Sequence, residues 1–277
     1  MRDFEGRIGL VTGAAGGMGA AAVDIFARRG ARVIALDRRL EDLEGLVQAW
    51  REQGFQVDCL GYDQGDPDSI EAAFGQMDLL TDGRLDFCFA NAGYGRYRPA
   101  MEIEAREWRR HVDINLTGTF LVVQAAARRM IAGGRGGAVV MNASSGAVFP
   151  TDLLSAYCSS KAGLVMLAKI LASELGAHGI RVNAVLPGVI ETPMTESLLA
   201  APGVPQTLAA ATPLGRAGRP EEVAEAAAFL CSPASGYVTG TSLLVDGGQT
   251  LHGFPRWFST DHRDPAAPWT PHVERRD

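Results

Sequence analysis

The chain has 277 residues, 47% of them hydrophobic and 21% charged, with a formal net charge of -6. Such a chain builds an ordinary globular core without needing disulfides or metal, and its acidic balance argues against nucleic-acid binding, which wants a basic face. The four cysteines (Cys59, Cys88, Cys158 and Cys231) fall at no metal-ligand spacing, no apolar run approaches a membrane span, and the N-terminus carries no apolar signal region, so the expectation is a cytoplasmic protein with no metal and no membrane contact.

Short apolar runs alternate with amphipathic stretches along the chain. Residues 8–11 read as a strand, and a glycine-rich turn leads into a helix through Ala20 to Arg29, closed by Gly30 as a glycine beyond a helix end often does. A second strand follows at 31–36. A polar helix over 40–53 leads to a third strand at 56–61, and further strands are predicted at 85–90, 138–143, 181–185 and 242–245, with helices between them. This alternation predicts an α/β fold: a seven-stranded parallel sheet, doubly wound, covered by helices on both faces. One domain is expected over 1–249. Residues 193–216 are apolar, proline-marked and long for a connection, as lids often are. Residues 250–277 form a tail in which Phe254, Trp257, Phe258 and Trp269 stand without periodicity; aromatics outside a core suggest an arm docked on a neighbouring subunit.

The turn after the first strand reads T-G-A-A-G-G-M-G, with glycines at Gly13, Gly17 and Gly19 and Met18 between the last two. Such a turn lets backbone approach a pyrophosphate and points free N–H groups at the start of a helix toward it. Asp37 ends the second strand, where a carboxylate accepts hydrogen bonds from the adenosine ribose hydroxyls and repels the 2′-phosphate of NADP. The cofactor expected is therefore NAD, with dual use as the alternative because Arg38 and Arg39 lie next to that carboxylate. Asp63, just after the third strand, can reach the adenine edge.

Tyr157 and Lys161 lie four residues apart in S-A-Y-C-S-S-K-A-G. On a helix such residues share a face, so the ammonium stands beside the phenol and is expected to lower its pKa, tuning it for proton transfer.

These residues together resemble the short-chain dehydrogenase/reductase family in its single-domain form, over about Gly6 to Gly248. The glycine turn resembles the family's T-G-x-x-x-G-x-G. The run A-N-A-G, ending in Asn91, Ala92 and Gly93, resembles its N-N-A-G, with Ala90 in place of the first asparagine. Asn115 in I-N-L-T-G occupies the family's helix-asparagine position, P-G-V-I-E-T-P-M from Pro187 resembles its nicotinamide-side segment, and V-D-G-G at 245–248 resembles its usual ending. The resemblance implies a Rossmann-type sheet in a three-layer α/β/α sandwich. It also implies hydride transfer between a nicotinamide cofactor and a small alcohol or ketone. Tyr157 would act as general acid/base, Lys161 would lower its pKa and hold the nicotinamide ribose, and Asn115 would anchor a water in the proton relay. Gly188, Val189 and Thr192 would complete the nicotinamide pocket. A serine would bind the substrate oxygen. Loop length selects Ser144 and strand register selects Ser145; neighbours on a strand face opposite ways, and the register argument favours Ser145.

The pocket-lining segments 93–98, 147–154 and the loop from Pro193 are apolar, with Arg96 and Arg98 as the exceptions. They suggest an apolar or aromatic secondary alcohol or ketone. A non-catalytic cofactor-sensing protein is the alternative function, and a halide-releasing relative is disfavoured by the intact Lys161 and glycine turn. The family's habit implies a homotetramer or homodimer, with 107–130 and 157–176 as candidate interface helices.

Overall fold

The structure is a computed structural model that describes residues 2–251. Its seven strands are β1 (Ile8–Thr12), β2 (Arg32–Asp37), β3 (Val57–Gly61), β4 (Phe87–Ala90), β5 (Gly137–Asn142), β6 (Ile180–Pro187) and β7 (Ser242–Val245). They form one sheet in the order β3-β2-β1-β4-β5-β6-β7, every neighbouring pair parallel. Parallel strands buried on both faces read as continuous apolar runs, which is why these segments stand out in the sequence.

Successive residues of each strand feed opposite cores. Ala138 and Val140 of β5 pack with α1 (Gly17–Arg28), α2 (Leu40–Glu52) and α9 (Pro220–Cys231), in a cluster that includes Val23, Trp50 and Ala227. Val139 and Met141 pack on the other face with α3 (Pro67–Thr81), α5 (Thr119–Gly133) and α6 (Ser155–Leu175), beside Phe74, Val122 and Leu164. At the bottom of the first core Phe4, Phe26 and Phe87 meet ring to ring, with centroids 4.6–5.1 Å apart. Gly9 is required there: a Cβ would lie 2.0 Å from the Phe87 ring.

The chain runs β1 to β3 outward in one direction, then returns to place β4 on the other side of β1. The crevice beyond the carboxyl ends of β1 and β4 is the switch point where such sheets bind ligands.

Two segments depart from the expected elements. The stretch 107–130 is not one helix: α4 (Ala105–Val112) passes through a π-helical turn, Asp113–Gly118, into α5. The long connection 193–216 carries two short helices, α7 (Glu196–Leu199) and α8 (Val204–Ala211). The expected tail lies, from residue 252 onward, outside the described residues.

Candidate active site

The loops after β1, β2, β3, β4, β5 and β6 converge on one cavity of about 390 Å³. Thr12 ties two of them together. Its hydroxyl accepts from the backbone N–H groups of Asn91 and Ala92 at 3.0 Å, and the Asn91 amide donates to the Thr12 carbonyl at 2.9 Å. Gly13 has φ +68°, and a Cβ on it would lie 2.9 Å from the Ala92 backbone. Gly17 opens α1 with φ +53° and no room toward Thr192. Gly19 does not line the cavity; a Cβ there would come within 2.0 Å of the Gly13 carbonyl, so its smallness lets the helix pack on its own turn. The start of α1 has no side-chain cap, which leaves its N–H groups for an anion.

Asp37 is buried at the end of β2. Its two oxygens accept from Ala15 N–H and Arg39 N–H, both at 2.9 Å. Each keeps a lone pair for a hydroxyl. The Arg39 guanidinium lies between three acceptors, Asp42 at 3.1 Å, the Ala15 carbonyl at 3.2 Å and Asp37 itself, 3.8 Å from Nε. Asp63 lines the same end and accepts from Gly65 N–H at 2.8 Å. Its neighbour Gln64, which nothing in the sequence singles out, is buried and donates to the carbonyls of Ala92 and Ile114 at 2.9 and 2.8 Å. Ala90, the departure from N-N-A-G, is a buried strand residue.

At the other end α6 presents Tyr157 and Lys161. Lys161 Nζ donates to the Asn142 carbonyl at 2.6 Å and lies 5.8 Å from the Tyr157 ring centroid. Burial lowers the Lys161 pKa to about 8. The expected lowering of Tyr157 is corrected here: burial dominates and pushes the phenol up to about 12, with the Ser144 hydroxyl pulling the other way. The lysine is spent on a carbonyl, and its own charge is weakened by the desolvation that acts on the tyrosine.

Of the two candidate serines, Ser144 lines the cavity and Ser145 does not, and the Ser144 hydroxyl lies near enough to the phenol to pull its pKa down. Ser144 is still extended (φ -171°, ψ 153°), whereas Ser145 begins a 3-10 turn, Ser145–Ala147, that carries its side chain away from the strand's alternation. Asn115 is fully buried in the π-helical turn, behind the cavity wall. Its side chain accepts from Tyr94 N–H at 2.7 Å and donates to the Tyr94 carbonyl at 2.8 Å and to Ser160 Oγ at 3.0 Å.

Asn91, Ala92, Gly93, Met18, Pro187, Gly188 and Thr192 all face the cavity. Val189 does not; its carbonyl accepts from Gly218 N–H at 2.9 Å, and the next residue, Ile190, lines the cavity instead. Gly188 is pressed to 2.9 Å from the Asp246 backbone by the measure of an added Cβ. Thr192 is held by Thr195, whose hydroxyl accepts its N–H at 3.1 Å.

A family model described as Enoyl-(Acyl carrier protein) reductase matches residues 13–250. The chain is 42% identical to a cis-4-hydroxycyclohexanecarboxylate dehydrogenase of Sinomonas cyclohexanicum, over 89% of this chain and 98% of that protein. It is 38% identical to a D-threitol dehydrogenase of Mycolicibacterium smegmatis, covering 90% and 95%. A crystal structure of a gluconate 5-dehydrogenase from Burkholderia cenocepacia, in complex with NADP and tartrate, superposes with a TM-score of 0.86 at 32% identity, covering 91% and 98%. The chain belongs to the short-chain dehydrogenase/reductase family. It is an oxidoreductase acting on CH–OH groups, and its cofactor is of the nicotinamide nucleotide class.

The cavity fits a short-chain dehydrogenase's dinucleotide on its own features. The glycine cradle at Gly13 and Gly17 has no space for side chains. Asp37 lines the cavity with lone pairs free to accept from ribose hydroxyls, and the buried Asn142 Oδ1, also of the lining residues, lacks a partner. Among the described residues no helix is long and apolar enough to cross a membrane, and no three His, Cys, Asp or Glu side chains are grouped to hold a metal.

Proposed function

We propose that this short-chain dehydrogenase/reductase oxidises an apolar or aromatic secondary alcohol with NAD, and reduces the corresponding ketone, with Tyr157 as general acid/base. The observation that carries the reading is the convergence of Tyr157, Ser144 and Lys161 on one end of a cavity whose other end is closed by Asp37. When bound, the nicotinamide supplies the hydride acceptor or donor. The chain's residues do the rest. Tyr157 holds the proton that enters or leaves the substrate oxygen, and its elevated pKa keeps it protonated at neutral pH, ready for the reductive direction. Ser144 hydrogen-bonds the same oxygen. Lys161 places its charge beneath the phenol, and Asn115 acts through the Tyr94 backbone as a positioning residue.

Asp37 supports NAD over NADP. Its carboxylate is fixed by two backbone N–H groups, so it cannot swing away from a 2′-phosphate. The exposed Val148, Phe149, Leu153 and Met194 support an apolar substrate body. Arg98 favours a second reading, an alcohol that also bears a carboxylate like that of the Sinomonas relative. It is half-buried next to this apolar rim, its N–H donates to the Leu153 carbonyl at 2.8 Å, and its guanidinium has no partner among the described residues. Assembly as a dimer or tetramer through the α4–α6 region is part of the proposal.

The test is NADH formation from a panel of neutral and carboxylated secondary alcohols, in parallel with NADP, comparing wild type with Tyr157→Phe. Turnover in wild type alone, faster with NAD, is expected, with NADH binding intact in the variant. Full turnover by Tyr157→Phe would sink the mechanism, and a preference for NADP would sink the Asp37 argument.

A further inference from the structure

His111 of α4 is 1% exposed, and its ring makes two hydrogen bonds that leave no freedom in where its proton sits. Nε2 lies 3.3 Å from Arg96 N–H, which can only donate, so Nε2 is an acceptor. Nδ1 lies 2.9 Å from the Glu107 carbonyl, which can only accept, so Nδ1 carries the hydrogen. Both bonds are satisfied by the neutral imidazole with its proton on Nδ1 and by no other state.

The segment it holds borders the reacting phenol. A Cβ on Gly95 would lie 3.3 Å from the Tyr157 ring, so the backbone of 94–96 forms one wall of the tyrosine's pocket. That backbone is pinned at Tyr94 by Asn115, at Arg98 by the Leu153 carbonyl, and between them at Arg96 by His111. Leu153 itself has φ +66°, a conformation leucine adopts at a cost, so the partner of the Arg98 pin sits on strained backbone.

We propose that His111 is a positioning residue of the active site, whose neutral imidazole holds the 94–96 backbone against Tyr157 and releases it on protonation. The inference rests on the general acid/base reading of Tyr157. A proton added at Nε2 sets N–H against the Arg96 N–H, and the segment loses its middle pin. Charged groups of both signs face the imidazole. Glu107 Oε1 lies 3.8 Å from Nδ1. Tyr94 packs on the ring at 4.8 Å and donates its hydroxyl to Glu107 at 2.8 Å. Arg96 reaches Glu107 at 4.0 Å and Arg110 lies 4.5 Å over the Tyr94 ring. The next turn adds Asp113, and α6, packed on α4, brings Tyr157 and Lys161.

The test is the pH profile of kcat and KM between about pH 5.5 and 8, the range in which histidine changes charge, for wild type, His111→Gln and His111→Leu. Glutamine offers Arg96 an amide oxygen that does not titrate, so His111→Gln should keep most of the wild-type kcat at pH 8 and lose the acid limb. Leucine leaves the Arg96 N–H unmade and should lower kcat about 10-fold across the range, with NADH affinity unchanged. Neither substitution alters Lys161, whose pKa burial lowers to about 8, so any limb it gives is common to all three proteins. An acid limb in His111→Gln identical to wild type would overturn the inference, whether or not His111→Leu folds. So would a His111→Leu enzyme with wild-type kcat and KM. An active Tyr157→Phe would instead mark failure of the underlying reading.

Discussion

An ammonium buried beside a phenol is charged only against the cost of its lost hydration. Lys161 shows that cost in a pKa lowered from 10.5 to about 8, and at neutral pH the penalty is on the order of 3 kcal/mol. Between pH 8 and 10.5 the unfolded chain binds more protons than the folded one at this residue, so stability rises with pH across that window. Tyr157 acts in the opposite sense. With a folded pKa of about 12 against 10, it costs stability as pH rises above 10. The two effects predict a stability maximum near pH 10 from these residues. They also predict that Lys161→Met abolishes turnover yet melts higher than wild type at pH 7, with the gap closing as pH approaches 10. Melting curves at pH 7 and 9.5 check this; a variant that melts lower at both would mean that the bond to the Asn142 carbonyl outweighs desolvation. The tuning of Tyr157 was the part of the site least legible in the sequence. Helical spacing does place Lys161 beside Tyr157, but it says nothing of the competing carbonyl or of the depth of burial. The same applies to Ser144. Whether the chain stays extended for one more residue after β5 is decided by the 3-10 turn that follows, a packing outcome that neither loop length nor strand register carries.

Glycines separate what an element needs locally from what its neighbours impose. Gly19 and Gly75 both sit inside helices, the first in the glycine-rich turn that the sequence marks and the second in no motif. In α1 a Cβ at Gly19 would meet the Gly13 carbonyl at 2.0 Å; in α3 a Cβ at Gly75 would meet nothing within 4 Å. Gly75→Ala should therefore stabilise the protein by about 0.5–1 kcal/mol, the ordinary gain of alanine in a helix. Gly19→Ala should destabilise it by about 1–3 kcal/mol, as overpacking does, and weaken NADH binding because the turn must shift. Denaturant midpoints and an NADH titration read both, and equal effects of the two substitutions would contradict the cradle geometry. The seven strands were legible because strands buried on both faces cannot be anything but apolar runs. The π-helical turn at Asp113–Gly118 was not. Its residues keep a helical pattern, and the irregularity goes with ties from distant residues: Gln64 bonding the Ile114 carbonyl, and the Gln64 carbonyl lying where a Cβ on Gly118 would be, 2.1 Å away.

At the scale of the molecule, residues from Gly13 to Thr195 of a single chain, far apart in sequence, line one cavity. The surface carries apolar side chains that a lone subunit gains nothing by exposing. On α6, Ala162, Met166 and Ile170 follow one another at helical spacing on the face turned away from Leu164 and Ala168, and all three are exposed. A stripe of that kind on the outside of a fully packed helix is what a helix-to-helix contact between subunits buries. Met166→Glu combined with Ile170→Glu places two like charges one turn apart in each copy, and across a two-fold contact it sets four against one another. The substitution should lower the mass measured by light scattering to that of a smaller assembly, while NADH affinity stays within about threefold of wild type, a difference of roughly 0.6 kcal/mol, because the cavity faces the other side of α6. An unchanged mass would remove this face from the interface. A lowered mass with lost NADH binding would mean that the α6 register carrying Tyr157 and Lys161 depends on the neighbouring subunit after all.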